Sequence, residues 1–217
     1  QLEEILPKCA DPDMAFNYLE RFVAEARSPL ALGALFERDP TALPALMQLF
    51  STSRHLSDIL ISDCAVFELM RERKGRPVAR ERLIDTIVGE IEALKHEANI
   101  MKALRRFKRR ETLRIAYGDI VTELPFETTA LQISYLADAL IQAALVAARS
   151  SVVEKYGEPF NKEQQPAKFV VLALGKLGGS ELNYSSDVDL IFLYDKAGTT
   201  VHKHPISNHE FFMYLSQ

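Results

Sequence analysis

At 217 residues, 47% hydrophobic and 26% charged, the chain has the composition of a soluble globular protein and ample length for one large or two small domains with a core. A net charge of −4 supplies no overall drive toward nucleic acid or membrane, so neither is expected as a partner. Cys9 and Cys64 lack metal-ligand spacing, no apolar run approaches the ~18–20 residues of a membrane span, and no signal-peptide pattern opens the chain, which together point to reduced thiols in a cytoplasmic protein.

The first residue is Gln rather than Met, as expected for a piece of something longer. Residues 1–160 read as helix after helix. Asp11–Pro12 is a helix start, with an aspartate able to cap and a proline at the first position, and Met14, Phe16, Tyr18, Leu19, Phe22 and Val23 form the apolar stripe that follows. Ser, Pro and Asp breakers then predict short helices around 29–37, 41–50, 53–60 and 63–73. Pro77 opens the longest predicted helix, in which Leu83, Ile87, Ile91, Leu94, Ala98, Met101, Leu104 and Phe107 recur every three or four residues along one face. Another helix is predicted from about Thr129 to Tyr156, and no repeat of fixed period or low-complexity tract interrupts the series.

Arg105, Arg106, Lys108, Arg109, Arg110 and Arg114 crowd one segment. That segment reads either as an anion-facing helix, toward nucleotide phosphates or an acidic protein, or as a solvated face with Leu104, Phe107, Leu113 and Ile115 buried. The polar, proline-bearing stretch from Lys155 to Gln165 reads as a connector and places a boundary near residue 160. Beyond it, Phe169 to Leu174 has the length and composition of a buried strand. A turn with Gly175, Gly178 and Gly179 follows, then Ser180, and then a second strand-like run, Val188 to Tyr194, headed by Asp187 and Asp189.

Side chains alternate across a strand, so Asp187 and Asp189 would share a face with Val188 turned away. Carboxylates about 7 Å apart along a strand can share hard divalent cations, and Mg²⁺ favours oxygen ligands while keeping positions open for substrate phosphates. Gly178, Gly179 and Ser180 would let the backbone approach a phosphate, with N–H groups at a helix start and a hydroxyl to meet it. Lys176 could add a point charge, or be a solvated turn lysine. The arrangement reads as nucleotidyl or phosphoryl transfer. Asp195 shares the parity but lies ~20 Å further along the strand and reads as a solvated strand end. Lys196 to Pro205 reads as a loop in which His202 and His204, with no nearby acid or thiol, are exposed rather than ligating. Ser207 and Glu210 form a capping box that starts a last helix.

The stretch GKLGGSELNYSSDVDLIFLYD, Gly175 to Asp195, resembles the nucleotidyltransferase motif of the bifunctional glutamine synthetase adenylyltransferase/adenylyl-removing enzymes, which carry two polymerase-β-like domains, one in each half. Glu181–Asn183 followed by Ser185–Asp187 is closer to the N-terminal, adenylyl-removing half. The arginine-rich segment also resembles one that precedes the catalytic core in that family. The resemblance implies a mainly α protein with an α+β part: a helical domain over 1–160, then over 161–217 the start of a nucleotidyltransferase core with an incomplete mixed sheet. It implies Mg²⁺ held by Asp187 and Asp189, a nucleotide (ATP, ADP or AMP) as substrate or product, glutamine synthetase as protein partner, and a P-II nitrogen signal protein as regulator. It also implies a third carboxylate downstream of residue 217, without which the chain alone is expected to be a poor catalyst. Two other readings stay open: a nucleotidyltransferase acting on another small substrate or on nucleic acid, and a non-catalytic helical module that holds an acidic partner through the 105–114 segment.

Overall fold

A computed structural model describes all residues, 1–217. It contains the helices α1 (Leu2–Ile5), α2 (Pro12–Glu25), α3 (Pro29–Arg38), α4 (Ala42–Thr52), α5 (Arg54–Ser62), α6 (Ala65–Arg73), α7 (Arg80–Glu92), α8 (Glu97–Ile120) and α9 (Phe126–Tyr156). The strand-bearing part follows: β1 (Pro159–Asn161), β2 (Phe169–Leu174), the single turn α10 (Gly175–Gly178), β3 (Asp189–Tyr194), β4 (Gly198–Thr200) and α11 (Asn208–Leu215). The chain is thus mainly α with a smaller α+β part, as expected, and both strand pairs, β1 with β4 and β2 with β3, are antiparallel.

The chain packs as two compact units, neither of which is a continuous stretch. One unit holds residues 1–78 and 106–132. Asp11 accepts from Met14 N–H at 2.9 Å, Ser28 from Ala31 N–H at 3.2 Å and Ser53 from Leu56 N–H at 3.4 Å, so the predicted breakers are helix caps that satisfy otherwise orphaned amides. Seven apolar residues of α4, from Ala42 through Phe50, are buried, and a helix apolar on nearly every side belongs inside a core. Phe22 of α2 lies edge-on to Phe50 of α4 at 5.7 Å and to Phe67 of α6 at 6.0 Å, fixing how the three helices meet.

The other unit holds residues 79–105 and 133–217, so the strands after residue 160 share their unit with α7 and most of α9. Phe211, Phe212 and Leu215 of α11 pack against Leu145, Ala148, Val152 and Tyr156 of α9 and against Phe169 of β2. Phe212 is stacked between Phe169 at 5.1 Å and Tyr194 of β3 at 5.0 Å, which presses α11 onto one face of the β2–β3 pair. The Ser207–Glu210 capping box is present and starts α11 as predicted.

Several sequence expectations are corrected. The long helix from Pro77 is two helices: Leu94 N–H turns back to Ile91 O at 2.9 Å, and a new helix starts where Asn99 and Ile100 donate to His96 O. Apolar spacing reports a face and not an axis, and no glycine or proline at 93–96 marks the break; Leu83, Ile87 and Ile91 are buried while Met101 is 41% exposed. The expected connector and loop contain β1 and β4, each three residues long and too short to show alternation. β2 is not a buried strand: Val170, Leu172 and Leu174, with Ile191 and Leu193 across the ladder, form an apolar face 41–48% exposed. The apolar run is longer than one covered face requires, because α11 packs only on the opposite side. Finally, α9 is long and apolar enough, by length and composition alone, to cross a membrane, where the sequence led us to expect no such run. Part of its apolar surface is used in packing, with Ala139 and Ala143 fully buried and Leu145, Ala148 and Val152 packed against α11.

Candidate nucleotidyl-transfer site

The site is built where β2 ends. Leu174 pairs with Asp189, the first residue of β3, so the ladder places an aspartate beside the glycine turn. A Cβ added to Gly175 would lie 3.4 Å from Asp189 Oδ2, and Gly175 has φ +55, a conformation in which a side chain is strained. Gly175 therefore carries the positive φ of the turn and its close approach to Asp189. Gly178 is needed for space: a Cβ there would meet Ala173 O at 2.6 Å. Around Gly179 a Cβ meets only the Glu181 side chain, at 3.6 Å or more.

Gly178, Gly179 and Ser180 stand at the end of a helical turn, not at a helix start as expected. Gly179 N–H donates to Gly175 O at 3.1 Å, Ser180 N–H to Leu177 O at 3.0 Å and Glu181 N–H to Lys176 O at 2.7 Å. Closing so short a turn uses these three amides internally, and Lys176 and Ser180 are exposed on it. Ser180 itself is held at φ +59, uncommon for a residue other than glycine and found disproportionately at functional sites.

The chain from this turn to the aspartates is pinned at both ends. Leu182 is buried and its N–H donates to Ser134 Oγ of α9 at 3.1 Å. Asn183 Oδ1 accepts from Ser185 N–H at 3.1 Å, Ser185 Oγ at 3.3 Å and Ser186 Oγ at 2.8 Å, while Ser186 Oγ accepts from Asn183 N–H at 3.2 Å. This knot of Asn and Ser directly precedes Asp187 and sets the path into β3. The strand begins at Asp189, so Asp187 stands two residues ahead of it instead of within it. Both carboxylates are exposed and neither enters an ion pair of the chain, while no group of three His, Cys, Asp or Glu gathers here or elsewhere. Two unpaired hard-oxygen donors fit a cation that completes its shell with water and substrate oxygens, as Mg²⁺ does.

Asn183, Ser134 and Gly175 went unassigned in the sequence reading. An Asn followed at i+2 and i+3 by Ser is an Asx-turn signal that could have identified Asn183, whereas Ser134 lies 48 residues from its partner and gives no local sign. Asp195 is exposed at its strand end, as expected, and its Oδ1 accepts from Lys168 N–H at 2.9 Å. His202 and His204 are exposed, also as expected.

The basic segment separates into different roles. Arg114 is buried, donating to Glu111 Oε2 at 2.6 Å, Arg76 O at 2.8 Å and Gln132 Oε1 at 3.0 Å. Arg110 lies over the Phe107 ring at 5.0 Å and beside Glu111 at 3.4 Å. Arg105, Arg106, Lys108 and Arg109 are exposed.

The family model of glutamate-ammonia ligase adenylyltransferase, GlnE, matches residues 43–217. The chain belongs to this family. Members similar to it include the bifunctional glutamine synthetase adenylyltransferase/adenylyl-removing enzyme of Thioalkalivibrio sulfidiphilus, 33% identical over 99% of this chain and 22% of that protein. The enzyme of the same name from Haemophilus ducreyi is 41% identical over 56% of the chain and 13% of its own length. That from Shewanella frigidimarina is 37% identical over 82% of the chain and 19% of its own length. The chain thus spans about a fifth of the length of these GlnE relatives.

Proposed function

We propose that the chain carries part of the nucleotidyl-transfer site of an enzyme that removes AMP from a tyrosine of glutamine synthetase by phosphorolysis. The reading is carried by one juxtaposition: Asp189, with Asp187 just ahead of it, set by the β2–β3 ladder against the glycine turn that begins at Gly175. The names of the GlnE relatives support glutamine synthetase as the target, and the Glu181–Asn183 and Ser185–Asp187 pattern supports the adenylyl-removing half.

In this reaction an oxygen of inorganic phosphate bonds to the AMP phosphorus, the bond from phosphorus to the tyrosine oxygen breaks, and ADP and free tyrosine result, with the tyrosine oxygen regaining a proton. Asp187 and Asp189 would hold Mg²⁺, which when bound neutralises negative charge at the transferred phosphoryl group. Ser180 and Lys176, both exposed on the turn, would be the donors that orient phosphate oxygens. The Asn183 hydrogen bonds would restrict the approach to Asp187, so that the carboxylates meet the nucleotide with less reorganisation.

The test uses the longest available parent enzyme with adenylylated glutamine synthetase, Mg²⁺ and phosphate, following ADP. Phosphate-dependent ADP that disappears in Asp187→Asn, with the fold intact by circular dichroism, is the expected result. AMP transfer from ATP onto unmodified glutamine synthetase without ADP release would reassign the site to the adenylylating direction, and activity retained by Asp187→Asn would remove the metal-binding role.

A further inference from the structure

The exposed cations of α8 are not explained by the fold. No acidic residue occurs between Glu97 and Glu111, and Glu111 is buried against Arg114. Lys102, Arg105, Arg106 and Arg109 stand at spacings of three and four, so they line one side of the helix as near neighbours of like charge. Such pairs destabilise a helix, and all four side chains are exposed without an ion-pair partner. Some exposed cations elsewhere pair with carboxylates, as in Arg21–Asp58, Arg80–Asp138, Arg149–Glu158 and Lys196–Glu163, and others, such as Arg27 and Arg54, stand unpaired one at a time; α8 sets four unpaired cations side by side. A row of uncompensated charge on a chain of net charge −4 is a directed field.

We infer that the side of α8 bearing Lys102, Arg105, Arg106 and Arg109 docks an acidic surface of the protein substrate, which on the function proposed above is glutamine synthetase. A protein surface fits better than nucleic acid. The four cations have no aromatic side chain interleaved on their side of the helix for bases to stack on, Phe107 being buried. Arg110 and Arg114 are outside the docking face, because Phe107, Glu111 and the backbone of Arg76 already engage them.

The inference is tested by direct binding, which does not depend on turnover. Immobilised wild-type chain and a Lys102→Gln, Arg105→Gln, Arg106→Gln, Arg109→Gln variant are compared for binding of adenylylated glutamine synthetase over a salt series. The expected result is a loss of about tenfold or more in association rate at low salt, with a flattened salt dependence and a melting temperature no lower than wild type, since like-charge repulsion has been removed. Equal binding by variant and wild type overturns the docking face, as does absence of binding by the wild-type chain. Lost binding accompanied by a lowered melting temperature also overturns it, in favour of a structural role. An inactive parent enzyme with variant-sensitive binding sinks the phosphorolysis reading alone; an active parent with variant-insensitive binding sinks the docking face alone.

Discussion

Replacing Arg114 with Met tests how the unit holding residues 1–78 and 106–132 is locked. The Arg114 and Glu111 side chains are 2% and 3% exposed, and the guanidinium also serves Arg76 O and Gln132 Oε1. Gln132 in turn accepts from Val78 N–H at 2.8 Å and donates to Val78 O at 3.0 Å, so one arginine ties α8, α9 and the 76–78 segment together. Removing one member of a buried pair costs about 3–5 kcal/mol, because the other charge stays buried without it. Glu111 keeps Arg110 at 3.4 Å and Arg73 at 3.7 Å, both partly in water, so the loss belongs near the lower end, about 3 kcal/mol. The chain has no tryptophan, so urea unfolding is followed by far-UV circular dichroism. The double variant Arg114→Met, Glu111→Leu removes both charges and should recover most of the loss. A single-variant loss below about 1 kcal/mol, or a double variant whose loss is the sum of the two singles, would refute the reasoning.

The two glycines first assigned to phosphate binding should behave differently. Gly178→Ala pushes a methyl to 2.6 Å from Ala173 O and should destabilise by about 1–3 kcal/mol in urea unfolding. Gly179→Ala meets only a mobile Glu181 side chain and should change stability by less than about 0.5 kcal/mol, so any activity it loses in the parent enzyme reports on phosphate approach. At α11, hydrogen bonds from the Ser207 hydroxyl and then the Ser207 backbone N–H hold the Glu210 carboxyl below its ordinary value of 4.5. A depressed carboxylate contributes stability that is present above that ordinary value and lost as pH falls through the depressed one. The stability gap between wild type and Glu210→Gln, read from melting temperatures, should therefore close as pH is lowered below 4.5; a gap constant with pH would remove the charge from the cap.

Much of the secondary structure was legible because its signals are local. Asp11–Pro12 and Ser207–Glu210 mark helix starts through groups within three residues of each other, and both caps are present. The family was legible in the Gly175–Asp195 motif for a related reason, since turn, loop and strand are contiguous there. The break between α7 and α8 was not legible, as the apolar spacing continues across residues 93–96 whether or not the axis does.

The sequence by itself supplied the candidates for phosphoryl chemistry, Lys176, Ser180, Asp187 and Asp189, and their strand–turn–strand order. Tertiary structure decided their arrangement. The β2–β3 register sets Asp189 against Gly175, the Ala173 carbonyl demands glycine at 178, and Ser134 on a distant helix anchors Leu182. It also divided six similar cations into a buried lock at Arg114, a ring-covered Arg110 and an exposed set of four. Charge type is written in the residue, but whether a charge is buried, paired or left facing solvent depends on which distant segments fold against it.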